Sequence, residues 1–304
     1  MPPKEKRDPT NVLPLITWDS IRPPYPKYHY FEGGKDYPFN FLAHSFDMVN
    51  AWWLMEASVL AYTDETTVRK HLQDAPVTNA KFFNGPSTQC YVANNKDFAW
   101  VVFRGTEIRP RPGSEYDFRN IIADILADLF FPPVDFYGLG KVHQGFKQAF
   151  EEVWGDLFVY LKEQESGGRS LWFTGHSLGA ALAALAAGRY SSVGNVHGLY
   201  TFGSPMVGDS DFCQNFGPKA RTYRFVNNLD IITQLPPFPP FQHVGELYFI
   251  DNHGIIGPNV NTPVSLQAIM SFLASMWNMV TNIAGLLLDH VPILYATHIW
   301  NNIP

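Results

Sequence analysis

Apolar positions follow two rhythms along the chain. Val49, Trp52, Trp53 and Leu60 recur at helical spacing, with Glu56 the only polar member of the stripe, and predict a helix. Cys90–Ala93 and Phe98–Phe103 predict two strands around the turn Asn94-Asn95-Lys96-Asp97. The second, Phe-Ala-Trp-Val-Val-Phe, is apolar throughout, as suits a strand covered on both faces. Phe146, Ala149, Phe150, Val153, Trp154, Leu157 and Leu161 then mark an amphipathic helix, and Leu171–Thr174 a short strand. Ala180–Gly188 is almost all alanine and predicts a helix that can lie close to a sheet. Gly198–Phe202, Thr222–Val226 and Glu246–Ile250 read as later strands. Strands alternating with helices predict an α/β fold, a mostly parallel central sheet with helices on both faces.

Two stretches depart from this rhythm. Ser114-Glu-Tyr-Asp117 fits a helix-start box, and Phe118, Ile121, Ile122, Ile125, Leu126, Leu129 and Phe130 follow at i, i+3, i+4, i+7 spacing. An amphipathic helix is thus predicted inside what should be a connection. Pro110, Pro112 and Gly113 precede it, and Pro132 and Pro133 stop it. The second stretch lies between Asp251 and Asp289, where no Asp, Glu, Lys or Arg occurs. Residues 264–288 are long enough to span a bilayer. Yet Gln267, Ser271, Ser275, Asn278 and Asn282 recur every three or four positions, which reads as an amphipathic helix. Packing on the core, lining a substrate cleft and crossing a membrane all stay open, the last being least favoured. Phe272, Leu273, Met276, Trp277 and Met279 are the candidates for its cleft-facing or core-facing side.

Residues 1–40 hold eight of the 24 prolines and read as an extended arm, ahead of a single domain over 41–304. With 46% apolar, 15% aromatic and only 16% charged residues, the 304-residue chain is no disordered protein. A net charge of −6 with no basic stripe argues against a nucleic-acid partner. Cys90 and Cys213 make one bridge at most, and neither CxxC nor HExxH occurs, so no metal is expected. The basic Lys4-Glu-Lys-Arg7 is followed by no apolar run longer than Val12–Ile16, itself broken by Pro14. No secretory signal is visible, and secreted and cytoplasmic locations both stay open.

The chemistry gathers at Gly175-His-Ser-Leu-Gly179, a G-x-S-x-G sequence between the strand 171–174 and the alanine-rich helix. A turn that tight needs glycine two residues either side of the serine, and it lifts Ser177 above the sheet edge. The N–H groups of the following helix then favour an oxyanion. Leu178 N–H is one candidate donor. Thr106, at the end of Phe103-Arg-Gly-Thr106, is the other. Asp230 follows a predicted strand and is the candidate acid, since ligands bind beyond the carboxyl ends of such strands. Asp209 and Asp211 also follow a strand, but a helix start there makes capping their better role. For the histidine, the order Ser, Asp, His leaves His243, His253, His290 and His298.

Phe103-Arg-Gly-Thr106, Val142-His-Gln-Gly-Phe146, Gly175-His-Ser-Leu-Gly-Ala180, Thr201-Phe-Gly-Ser-Pro205 with Val207-Gly208, and Asn228-Leu-Asp to Pro236-Pro237 occur in this order. Together they resemble the class 3 lipase family, the Rhizomucor-type fungal lipases and their bacterial relatives, over residues 45–255 and again near Asp289-His290. The resemblance implies an α/β-hydrolase fold with a catalytic domain over 41–304, no cofactor and hydrolysis of carboxylic esters, with triacylglycerols foremost. It implies Asp230 as acid and His290 as base. The family's Asp-His-x-x-Tyr fits Asp289-His290 with Tyr295 two places late, and His298 remains the alternative. It further implies a lid at about 107–131, with Phe118, Ile121, Ile122 and Ile125 facing substrate. The expected partner is a lipid ester at an oil–water interface, met by a monomer that is not an integral membrane protein. Fungal members are secreted and rich in disulfides, so two cysteines and no visible signal point to a bacterial-type or intracellular relative. A feruloyl esterase or phospholipase A1 of the same fold, and a catalytically silent lipid-binding protein, are the other readings. The intact Ser177, Asp230 and His290 argue against silence.

Overall fold

The computed structural model describes residues 5–12, 23–25, 27–106, 131–218, 221–237, 239–258 and 288–304. The predicted helix at 114–130 and nearly all of the 264–288 segment lie outside these residues. So do Phe118, Ile121, Ile122, Ile125, Phe272, Leu273, Met276, Trp277 and Met279.

Among the described residues, eight strands form one sheet: β1 (Asn79–Asn84), β2 (Gln89–Asn94), β3 (Phe98–Phe103), β6 (Ser170–His176), β7 (Gly198–Phe202), β8 (Thr222–Asn227), β9 (Glu246–Ile250) and β10 (Ile256–Pro258), in that spatial order. β3, β6, β7, β8 and β9 run parallel. β1, β2 and β10 add antiparallel edges. A separate ribbon pairs β4 (Pro133–Asp135) with β5 (Lys141–His143).

Alternation along the central strands sorts the core into two layers. Phe98, Trp100 and Val102 of β3 face one side with Trp172, Tyr200, Phe202 and Phe225. Ala99, Val101 and Phe103 face the other with Leu171, Phe173 and Leu199. The first layer is covered by α1 (Met48–Leu60) and the last helix, Pro292–Asn302. The second is covered by the long helix Gln144–Ser166 and the alanine-rich helix Leu178–Tyr190. Asp47 caps α1, its carboxylate accepting from Val49 N at 2.9 Å and Asn50 N at 3.1 Å. Cys90 and Cys213 are both free thiols, so the single possible bridge is not made. Among the described residues no helix is long and apolar enough to cross a membrane.

Glu56 shows how α1 is held. It is fully buried, and burial pushes its carboxyl above the usual carboxylate range, against the pull of nearby Arg7. Arg7 comes from the N-terminal arm and lies 3.4 Å from Glu56 Oε1. Tyr28 O–H donates to the same oxygen at 2.5 Å, and Phe31 N–H to Oε2 at 3.0 Å. The guanidinium also sits 4.5 Å from the ring of Trp300, and the Arg7 main chain exchanges hydrogen bonds with Asn301. The arm therefore binds α1 to the last helix. Removing one partner of a buried pair leaves a charge uncompensated. Arg7→Ala should lower stability by about 2–3 kcal/mol in urea unfolding, toward the low end of such losses, because Tyr28 and Phe31 still serve Glu56. No shift in the midpoint would show that the Arg7 side chain contributes nothing to holding Glu56.

Candidate active site

β6 enters the alanine-rich helix through Ser177 alone. The serine holds φ 59° and ψ −131°, a conformation that L-residues avoid. Its N–H donates to Phe202 O at 3.0 Å, fixing the turn to β7. Both flanking glycines are required by contact. A Cβ on Gly175 would stand 2.3 Å from the Gly179 carbonyl, and a Cβ on Gly179 would stand 2.3 Å from Phe103 O. The second contact matters more for chemistry, because it presses the start of the helix against the strand end that carries Thr106. Gly179→Ala should force that strand and the helix apart. An activity loss above about 10²-fold is expected from such a displacement. Activity within threefold of the parent would mean the two elements are not coupled.

Asp230 follows the turn Asn228-Leu229 that ends β8. It caps the short 3₁₀ turn Ile231–Gln234, its Oδ1 accepting from Ile232 N at 3.0 Å. The side chain is fully buried beside His290, whose Nδ1 lies 2.8 Å from Oδ2 and 3.0 Å from Oδ1. A carboxylate there only accepts, so Nδ1 carries the proton and Nε2 keeps a lone pair. Tyr295 O–H donates to Oδ2 at 2.6 Å while accepting Asn227 N–H at 3.0 Å. The late position of Tyr295 thus has a local reason. His290 sits in a turn ahead of the last helix, which Pro292 opens, and Tyr295 on that helix reaches the acid.

The His290 turn is tied to the Asp230 turn by more than the ion pair. Asp289 Oδ2 accepts from Asn228 Nδ2 and Leu229 N, both at 3.0 Å, and Asn227 Nδ2 donates to Asp289 O at 3.0 Å. Asn228 takes φ 41°, in the left-handed region that asparagine tolerates. Burial, with the nearby charge of Asp230, holds the Asp289 carboxyl above its ordinary range despite the Leu229 and Asn228 hydrogen bonds. Gly203 lies between these groups and the elbow: a Cβ there would be 2.9 Å from Asp230 Oδ2 and 3.0 Å from the His290 ring.

The structure therefore brings Ser177, Asp230 and His290 to the same ends of β6, β8 and the last helix. The other candidate histidines go elsewhere. His298 lies in the last helix against Gly254, His243 Nε2 bonds Thr233 O at 2.8 Å, and His253 sits in the turn after β9. Asp209 caps the helix Ser210–Asn215, accepting from Phe212 N at 2.9 Å. Thr106 and Leu178 border the same cleft as Ser177, a cavity of about 720 Å³. Phe131, Phe146, Pro205 and Ile232 give it apolar wall. Ser87, Gln89, Arg104, Gln148 and Glu152 give it polar wall. Sequence reading named Asp289 and Tyr295 as members of the Asp-His-x-x-Tyr pattern but gave neither a bonding partner in the site.

A family model described as lipase (class 3) matches residues 100–239. The chain is 35% identical over 187 residues to a lipase of Rhizomucor miehei, covering 57% of this chain and 45% of that protein. It is 36% identical over 115 residues to secreted mono- and diacylglycerol lipase 1 of Fusarium solani, covering 36% of this chain and 34% of that one. It thus spans less than half the length of these two curated relatives. Among solved structures, a triacylglycerol lipase whose catalytic centre is described as a serine protease triad superposes with a TM-score of 0.56 at 26% identity, over 82% of this chain and 94% of that one. The triacylglyceride lipase of Rhizomucor miehei gives 0.55 at 25% identity, over 81% and 96%.

Proposed function

We propose that the chain is a member of the class 3 lipase family, with its α/β-hydrolase fold, and a serine hydrolase of lipid carboxylic esters, triacylglycerols foremost. The observation that carries this reading is Ser177 on its strained elbow, whose neighbour His176 bonds the His290 main chain, together with the His290–Asp230 pair. Residues 41–304 form the catalytic domain. His290 Nε2 removes the Ser177 proton as the oxygen attacks the ester carbonyl. Asp230 holds the imidazole in the Nδ1–H tautomer and stabilises the imidazolium, while Tyr295 holds Asp230. The N–H groups of Thr106 and Leu178 receive the developing oxyanion, each donor contributing about 2.7–4 kcal/mol. His290 then protonates the departing alcohol. Water, activated by the same base, releases the fatty acid from Ser177. No step calls for a cofactor.

The substrate is met as a monomer at an oil–water interface. We propose that residues 107–131 supply the lid and that Phe118, Ile121, Ile122 and Ile125 are its substrate-contacting side chains, an apolar set that an interface favours. The rate on a short-chain triacylglycerol should therefore rise above simple saturation once droplets form. Ile122→Asp should lower emulsion activity by about tenfold or more, and activity on soluble esters far less, because only the interfacial state needs that apolar face. Equal losses in both assays would remove the lid reading. The polar wall of the cleft favours a second reading, partial glycerides, whose free hydroxyls would find Ser87, Gln89 and Gln148. Matched emulsions of tri-, di- and monoacylglycerol separate the two.

A further inference from the structure

His176, immediately before the elbow serine, is used by none of these steps. Its ring is buried and both nitrogens are engaged. Nε2 lies 2.9 Å from the main-chain oxygen of His290, and Nδ1 lies 2.9 Å from the Tyr62 hydroxyl. A carbonyl can only accept, so Nε2 bears the proton. Nδ1 is left with its lone pair and accepts from the Tyr62 O–H. The direction of both bonds is fixed by this one requirement. Burial, reinforced by the neighbouring His290, depresses the basicity of the ring well below that of ordinary histidine, and burial keeps the Tyr62 phenol protonated. The relay is therefore neutral and single-tautomer over the working range of such an enzyme.

Tyr62 stands just past the end of α1 and packs under the strand end that leads to Thr106. A Cβ on Gly105 would lie 2.0 Å from the Tyr62 hydroxyl and 2.8 Å from the His176 carbonyl. One compact pair thus touches the main chain beside Thr106 and the main chain of His290, and one of its members, His176, directly precedes Ser177. The rings of His176 and His290 are themselves 4.6 Å apart. Neither Tyr62 nor His176 is among the described residues that line the cleft holding Ser177.

We propose that Tyr62 and His176 are positioning residues, a hydrogen-bonded strut that holds the His290 main chain at a set distance from Ser177 and from the Gly105–Thr106 strand end. The Asp230 carboxylate fixes the far nitrogen of the His290 ring. The strut fixes the backbone from which the ring hangs. Two anchors on different atoms leave Nε2 little room to drift from the serine oxygen. This inference rests on the Ser177–Asp230–His290 reading above. Because the strut is kept out of the cleft wall, its loss acts on kcat and not on KM.

The test uses His176→Leu, which cannot donate, His176→Gln, whose amide N–H can, and Tyr62→Phe, which loses one oxygen. Three quantities are read on the full chain: kcat and KM on a soluble p-nitrophenyl ester, the rate at which a p-nitrophenyl alkylphosphonate labels Ser177, and the final stoichiometry of that label. His176→Leu should lower kcat by about 30-fold with KM within about threefold, as a small misalignment of base and nucleophile does. The labelling rate should fall in parallel while the final stoichiometry matches the parent. His176→Gln should regain about tenfold of the loss, and Tyr62→Phe should fall about threefold to tenfold, if a hydrogen bond and not bulk is what positions the base. The proposal is overturned if glutamine is no better than leucine, if KM rises while kcat holds, or if lost stoichiometry accounts for lost activity. Should His176→Leu not fold, Tyr62→Phe decides, since an unchanged kcat there also overturns it. A parent that takes no label at Ser177 overturns the triad reading together with the strut. A labelled parent with unaltered variants overturns the strut alone.

Discussion

Ser177→Ala should remove turnover almost completely, by about 10⁵-fold or more in kcat, the scale of loss when a triad nucleophile is deleted. The fold should survive. The substitution deletes one oxygen, and the φ of 59° that the serine already bears is imposed by the contacts of Gly175 and Gly179, not by its hydroxyl. Circular dichroism and the melting temperature should match the parent. Substrate affinity should be largely kept, since the cleft wall loses only the Ser177 hydroxyl. Residual esterase activity within tenfold of the parent would mean that another group is the nucleophile.

His290→Ala should cost about 10³-fold or more in kcat, as removing the base leaves only the oxyanion donors and binding. His298→Ala is the matched control. It lies in the last helix, Pro292–Asn302, just beyond the turn that holds His290, and packs against Gly254, so it probes the packing of that helix without touching the base. His298→Ala should stay within about threefold of the parent, in line with a change away from the reacting atoms. The reverse ranking would show that the register of the last helix has been misread. Loss of both activities together would trace the effect to helix packing.

Much of the sheet was legible because its strands are buried on both faces. Phe98–Phe103, Gly198–Phe202 and Glu246–Ile250 were bounded to the residue, and their signal is local: a short apolar run between turn residues. β1 and β10 escaped notice because they are edge strands, half-wetted and mixed in polarity, as Asn-Ala-Lys-Phe-Phe-Asn illustrates. β4 and β5 are three residues each, too short for any period. At the site, Ser177 and Asp230 were readable from the turn and the strand end beside them. Tyr295 was visible only as a spacing mismatch, which the turn at His290 and the helix opened by Pro292 resolve. Glu56 gave no hint of its partner. Arg7 is distant in sequence, and nothing in a local window announces a contact made by an arm folding back.

The ties of the His290 turn have a consequence for how such a chain can change over generations. Asn227, Asn228, Leu229, Tyr295 and His176 all bond to residues 289–290, to the acid or to both, and every one belongs to the sheet, its loops or the last helix. Because five residues from separate elements share the task, a change at any one of them leaves four ties in place. Single substitutions among them therefore erode the alignment of His290 step by step, so a lineage can pass through such variants without losing proton transfer outright.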